Sequence, residues 1–194
     1  MDGESRLTLV PTSRRTFLAG VAALPIAFGR RPDPSNQFRR HFKGAIVVPG
    51  DAEYDRARAV ASLNPRTDKR PQLIARCVSG DDVARALEFA REQSLEVAVR
   101  GGGHDLLGAS VCEGGMVIDL GSMKAIGIDP ARRLARVEAG ARSRDLNRAA
   151  GAHGLVAALG CHPDVGVAGL TLGGGLDGSL DGTALPATTC ALHM

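Results

Sequence analysis

The chain has 194 residues, which is enough for one domain or two small subdomains with a buried core. Its 44% apolar content excludes a disordered tail, and its 25 glycines, which show no three-residue period, exclude collagen and predict tight backbone contacts. The net charge of +3 arises in the first 45 residues, and one Tyr, no Trp and no basic stripe argue against a nucleic-acid partner.

The first 29 residues have the pattern of an export signal. Arg14 and Arg15 stand directly before an apolar run, residues 17–28, that is too short to span a bilayer comfortably. The order resembles a twin-arginine signal peptide over residues 1–29, followed by a linker over residues 30–44. A chance Arg-Arg pair before a buried helix is the alternative, but Pro25 would break such a helix. The sequence therefore predicts a periplasmic or secreted protein with no stable membrane span.

The body of the chain is predicted to mix short strands with helices. The expected strands are residues 45–48, 73–77, 95–99, 116–120, 125–129 and 134–138. The expected helices are residues 52–63, a helix capped by Asp81-Asp82 with Val83, Ala86, Leu87 and Ala90 on one face, and residues 143–150. Residues 73–99 read as strand, helix, strand, whereas the turns between residues 116 and 138 favour an antiparallel sheet.

The strand, helix, strand unit leads into Arg100-Gly101-Gly102-Gly103-His104. Consecutive glycines after a buried strand permit positive φ and let backbone N–H groups turn toward an anion such as a pyrophosphate. Alone the pattern is weak, because Gly-Gly-Gly is more often a flexible turn and lacks the GxGxxG spacing of the Rossmann fingerprint. A histidine in that position is, on its own, more often structural.

Further motifs follow the loop at a matching spacing. They are Gly108-Ala109-Ser110, residues 114–120, residues 137–140, and the run from Gly166-Val167-Ala168-Gly169 to Gly173-Gly174-Gly175. Together with the loop they strongly resemble the berberine-bridge-enzyme-like FAD-linked oxidases, from about residue 44 to Leu176. The resemblance implies an α+β fold, the FAD-binding PCMH-type fold of the vanillyl-alcohol-oxidase kind. An α/β subdomain and a mostly antiparallel second subdomain are expected over residues 45–176, incomplete at the C-terminus.

The same resemblance implies FAD as the cofactor and assigns residues to it. The loop would hold the pyrophosphate, and His104 would bond covalently to the 8α-methyl carbon of the flavin, which requires a neutral imidazole. The cofactor-binding residues it implies are Arg100, Gly101, Gly102, Gly103, His104, Gly108, Ser110, Gly166, Val167, Gly169, Gly173, Gly174 and Gly175. Asp105 departs from the family, where Ser or Asn is usual, and is expected to be a solvated turn residue unless it meets Arg100.

The positions of the cysteines and histidines decide whether a second covalent bond to the flavin, or a metal site, is expected. Some family members bond the flavin again through a cysteine three residues before the valine of Val165-Gly166. Here His162 holds that slot and Cys161 comes one residue early, so a single tether is expected. The four cysteines lack CxxC spacing and have no clustered histidines, so no metal is predicted, and disulfide pairing stays open.

The implied reaction is hydride removal from a small-molecule substrate, followed by reoxidation of the flavin by dioxygen. No residue is a candidate for the catalytic base, so the catalytic residues are unassigned and the substrate stays open. Two alternatives are an exported FAD-binding chain without turnover, because the substrate domain is missing, and a structural domain without a ligand. Residues 177–194 do not continue the family pattern, and we expect them to be the translation of a shifted reading frame.

Overall fold

The computed structural model describes residues 34–62, 64–157, 159–160, 162–173 and 190–192. The helices are α1 Pro34–His41, α2 Tyr54–Arg58, α3 Gly80–Glu92, α4 Ser143–Gly151 and α5 Val167–Gly173. The strands are β1 Ala45–Val47, β2 Leu73–Arg76, β3 Val97–Arg100, β4 Met116–Asp119, β5 Ile126–Asp129, β6 Leu134–Val137 and β7 Cys190–Leu192. The expected signal peptide, Cys161, Gly174, Gly175 and most of residues 177–194 lie outside the described residues.

A four-stranded sheet in the order β1-β2-β4-β3 forms the first part of the fold. Strand β4 lies between β2 and β3 and is parallel to both, while β1 is antiparallel to β2. The expected antiparallel arrangement of residues 116–120 is therefore wrong. The reason is burial: Met116, Val117 and Ile118 are each at most 1% exposed, and such a continuous apolar run is typical of a central parallel strand covered on both faces.

The second sheet has the order β5-β6-β7. Strands β5 and β6 are antiparallel, as the turn signals predict, and β7 is parallel to β6. Val137 of β6, Leu146 of α4 and Val167 of α5 share one apolar cluster and are almost completely buried. No helix in the described part of the chain has the length and apolar character needed to cross a bilayer.

Helix α1 occupies residues that the sequence assigns to a linker. Phe38 stacks on Phe89 of α3 with ring centroids 4.6 Å apart, and Phe42 lies 4.9 Å from Phe38. This contact also changes the buried face of α3, because Phe89 packs against the core while Leu87 stays 48% exposed. Residues 34–41 of the expected linker thus form a helix, and Leu87, expected on one face with Val83, Ala86 and Ala90, stays exposed where Phe89 stacks on Phe38.

The start of helix α3 differs from the expected Asp81-Asp82 cap. Ser79 is the N-cap residue, and its hydroxyl oxygen accepts from the Asp82 N–H. The Asp82 side chain is completely buried and accepts from the Val78 N–H at 3.1 Å and the Lys43 N–H at 2.9 Å. Asp82 therefore joins the segment after α1 to the start of α3.

Helix α2 ends five residues earlier than expected. After Arg58 the backbone becomes extended at Ala59, with φ −63° and ψ 136°. The Ala57 carbonyl accepts from the Arg100 guanidinium, and the Ala61 N–H donates to the Gly103 carbonyl at 3.1 Å. Contacts with the glycine loop thus take up backbone groups that a longer helix would have used.

Candidate functional site

The glycine loop leaves the sheet at the end of β3. Arg100 pairs with Asp119 in the register between β3 and β4, so the loop starts at the carboxyl edge of both strands. Gly103 has φ +72°, a conformation that other residues rarely adopt. Among the described residues, no backbone hydrogen bond uses the N–H groups of Gly101, Gly102 or Gly103. Binding of an anion by these N–H groups stays a prediction.

Gly102 touches the second glycine segment. A Cβ built on Gly102 would lie 2.5 Å from Cα of Gly166, and one built on Gly166 would lie 2.6 Å from the backbone nitrogen of Gly102. Gly166 forms an antiparallel bridge with Arg142, and the neighbouring Val167 N–H donates to the Ala141 carbonyl at 3.0 Å. The two segments expected to flank one cofactor are therefore in contact, and only glycine fits at both positions.

The Arg100 side chain packs against the glycine loop at Gly103. Its guanidinium donates to the Ala57 carbonyl, and a Cβ on Gly103 would lie 2.7 Å from its Nη2 atom. Burial lowers the pKa of the Arg100 guanidinium, while the nearby Asp119 carboxylate raises it and offsets part of that effect. The side chain thus brings positive charge close to the loop, and the positive φ of Gly103 disfavours any other residue at that position.

His104 lies beside His162 at the end of the glycine loop. The two imidazole ring centroids are 4.7 Å apart, with an interplanar angle of 46°. His104 is half-buried, whereas His162 is exposed. The slot that holds a cysteine in some family members thus places a histidine next to the residue expected to carry the flavin.

A network of charged side chains connects the two segments. Asp164 accepts from Arg142 at 3.1 Å and forms a second ion pair with Arg144. A longer contact of 3.5 Å joins Arg142 Nη2 to the Gly102 carbonyl. Sequence reasoning missed both arginines, since their only signal is that they follow the Glu138-Ala139-Gly140 motif.

The FAD binding domain family matches residues 71–183 of the chain, more than half of its length. The chain belongs to this family. It is 42% identical over 135 residues to (R)-6-hydroxynicotine oxidase of Paenarthrobacter nicotinovorans, covering 69% of this chain and 29% of that protein. It is 37% identical over 133 residues to an FAD-linked oxidoreductase of Bacillus subtilis, again covering 69% and 29%.

Solved structures agree with the family assignment. The crystal structure of 6-hydroxy-D-nicotine oxidase from Arthrobacter nicotinovorans matches with a TM-score of 0.63 and 40% identity, covering 66% of this chain and 28% of that one. Wild-type BBE-like 1 of Physcomitrella patens matches with a TM-score of 0.68 and 27% identity, covering 74% and 31%. The expected PCMH-type α+β fold and the FAD cofactor are confirmed, and the chain spans about 30% of the length of these relatives.

Within this FAD-binding domain, Asp105 turns back onto its own loop. Its carboxylate accepts from the Leu107 N–H at 2.8 Å, the Ser110 N–H at 2.6 Å and the Ser110 hydroxyl at 2.9 Å. Asp105 does not pair with Arg100, and both donors of Ser110, an expected cofactor ligand, are already engaged. Burial raises the pKa of the Asp105 carboxyl, but these hydrogen bonds lower it more, so the group stays ionised at neutral pH.

Asp105→Asn is expected to tighten FAD binding by about fivefold, because it removes a negative charge next to the phosphate loop and releases a Ser110 donor. A lowered pKa means that the carboxylate is present above its usual titration range and is lost only on acidification. The gain should therefore be constant between about pH 6 and pH 8. Fluorescence titration with FAD measures it.

The matched control for this prediction is Asp129→Asn. Asp129 also accepts a local backbone N–H, that of Arg132 at 3.0 Å, but it is the last residue of β5, in the second sheet. Its replacement should leave the FAD affinity unchanged. Equal or weaker FAD binding by Asp105→Asn would contradict the role assigned to the carboxylate.

The other residues assigned to FAD from the sequence have varied surroundings. Gly108, with φ +72°, packs on Thr67, and its carbonyl accepts from the Lys69 ammonium at 2.7 Å. Val167 is completely buried, whereas Gly169 and Gly173 lie in α5 with open space where a Cβ would stand. Their contacts with FAD stay predictions.

Two of the four cysteines have described side chains. Cys77 and Cys112 are buried free thiols. Burial, together with Asp82 and Asp119, raises the pKa of Cys77 to about 12, and burial also raises that of Cys112. Both thiols are therefore protonated at neutral pH, which suits packing rather than nucleophilic chemistry.

Proposed function

We propose that this chain is the FAD-binding module of an oxidase that takes a hydride from a small-molecule substrate and passes the electrons to dioxygen. The observation that supports the proposal is the contact between Gly102 and Gly166, which brings together the two glycine segments expected to flank the cofactor. The oxidase and oxidoreductase names of the relatives support the reaction class. When bound, FAD supplies the hydride acceptor, and the chain supplies position and charge.

The chain's own residues have separate roles toward FAD. The N–H groups of Gly101, Gly102 and Gly103 would bind the pyrophosphate, and the Arg100 guanidinium lies close to Gly103. The absence of side chains at these positions allows the phosphates to approach the backbone. His104, at the end of the loop, would hold the flavin ring.

His104 is proposed to bond covalently to the flavin 8α-methyl carbon. An unprotonated ring nitrogen of His104 would form the new N–C bond as one methyl C–H bond breaks. Overall, the imidazole N–H proton, one methyl proton and two electrons would pass to dioxygen and give hydrogen peroxide. The imidazole must be neutral for this step, because a protonated ring has no free lone pair.

His104→Ala tests the attachment directly. The wild-type chain, denatured in acid, should keep flavin fluorescence on the polypeptide, and the variant should lose all of it while still binding FAD reversibly. His153→Ala is the matched control, since His153 is an exposed histidine in the turn after α4. Covalent flavin in His104→Ala, or none in the wild type, would overturn the attachment.

We also propose export by the twin-arginine route, supported by Arg14-Arg15 and the short apolar run that follows. Changing both arginines to lysine keeps the charge but should hold the precursor inside the cell. The periplasmic fraction of each form, measured by immunoblotting, tests this. Equal export of the double variant and the wild type would show that the signal is misread.

A further inference from the structure

His162, four residues before Gly166, contacts the His104 ring. Ring centroids 4.7 Å apart place the two imidazoles in van der Waals contact in a tilted arrangement. Neither residue belongs to a helix or strand, so regular backbone hydrogen bonding does not fix their orientation. The contacts that hold the His162 ring therefore also restrict the orientation of the His104 ring.

His162 is held by the residue two positions later. The Asp164 N–H donates to Nδ1 of His162 at 3.2 Å. The Asp164 carboxylate is in turn paired with Arg142 and Arg144. Arg142 also contacts the Gly102 carbonyl. A continuous chain of contacts therefore runs from the glycine loop through Arg142, Asp164 and His162 to His104.

We propose that His162 is a positioning residue that holds the His104 ring in the orientation needed for covalent attachment of the flavin. The inference rests on the proposed attachment through His104. A half-buried histidine without a ring neighbour samples several rotamers, and only a fraction of them point a nitrogen at the reacting carbon. Contact with a second ring, itself fixed by the Asp164 N–H, removes the alternatives and raises the rate of bond formation.

Three substitutions of His162 separate the ring contact from the hydrogen bond. His162→Ala removes both. His162→Phe keeps a ring against His104 but cannot accept from the Asp164 N–H. His162→Asn keeps an acceptor, since the amide oxygen takes the place of Nδ1, but removes the ring.

The measurement is made on the full chain by adding FAD and following acid-stable flavin with time at saturating FAD, together with the dissociation constant of rapidly bound FAD. We expect His162→Ala to attach flavin roughly tenfold to a hundredfold more slowly, with its FAD affinity within about twofold of the wild type. His162→Phe should recover most of the rate, and His162→Asn should stay slow. His153→Ala should match the wild type in both quantities.

The possible results separate the positioning role of His162 from the covalent attachment through His104. If His162→Ala attaches flavin at the wild-type rate, His162 does not position His104, and attachment through His104 still stands. If all three variants lose FAD affinity and thermal stability together, the role is structural and the inference is wrong. If the wild type attaches no flavin, or His104→Ala still does, the proposed attachment fails and the inference fails with it.

Discussion

Gly102→Ala is expected to weaken FAD binding by about a hundredfold or more, which corresponds to roughly 2.7 kcal/mol. The added Cβ would lie 2.5 Å from Cα and 2.6 Å from the nitrogen of Gly166. Both are backbone atoms, so the clash cannot be relieved by rotating a side chain. The β-bridge between Gly166 and Arg142 also holds the Gly166 backbone in place. The two glycine segments must separate, and the N–H groups of the loop then lose their common orientation. Titration of the variant with FAD measures the loss.

Gly127→Ala is the control for that substitution. Gly127 is exposed on β5, and a Cβ there would meet no atom within 4 Å. It tests whether any glycine to alanine change in the domain weakens FAD binding through general destabilisation. Wild-type affinity in Gly102→Ala would show that the contact between the two segments does not shape the cofactor site.

Asp82→Ala is expected to lower the free energy of unfolding by about 2–3 kcal/mol. The substitution leaves the Val78 and Lys43 N–H groups without their acceptor in a site where Asp82 is completely buried. It also releases the segment that connects α1 to the sheet. Chemical unfolding followed by circular dichroism gives the change.

Two further variants define the origin of that loss. Asp81→Ala changes the exposed neighbour in the same helical turn and should cost only about 0.5 kcal/mol, through the helix dipole. Asp82→Asn keeps one acceptor oxygen and should fall between the wild type and Asp82→Ala. Equal stability of Asp81→Ala and Asp82→Ala would show that the helix dipole, rather than the buried hydrogen bonds, is responsible.

The parts of the fold that local pattern controls could be predicted from the sequence. Strands β5 and β6 and helix α4 lie within a residue or two of their expected bounds, because turn residues and apolar periodicity specify them locally. The end of helix α2 could not be predicted, since the helix stops where Arg100 and Gly103, more than forty residues away, take its backbone groups. The position of β4 between β2 and β3 likewise depends on burial in the complete sheet.

The candidate site divides along the same line. The glycine loop and His104 could be found because their spacing carries the family resemblance. The hydrogen bonds of Asp105 and the pairing of Arg142 with Asp164 could not, because single charged residues in loops give no periodic signal. The packing of Phe89 rather than Leu87 against α1 has a related reason, since its partner Phe38 lies on a helix that the sequence did not predict.

The contact between Gly102 and Gly166 has a consequence for the order of events during translation. Residues join the chain at about 5–20 per second, so the glycine loop exists for several seconds before Gly166 is made. The chain of contacts from Gly102 through Arg142 to Asp164 likewise forms only after Asp164 has been made. Stable capture of FAD should therefore begin only after Gly166 has left the ribosome, and nascent chains stalled before it should stay colourless.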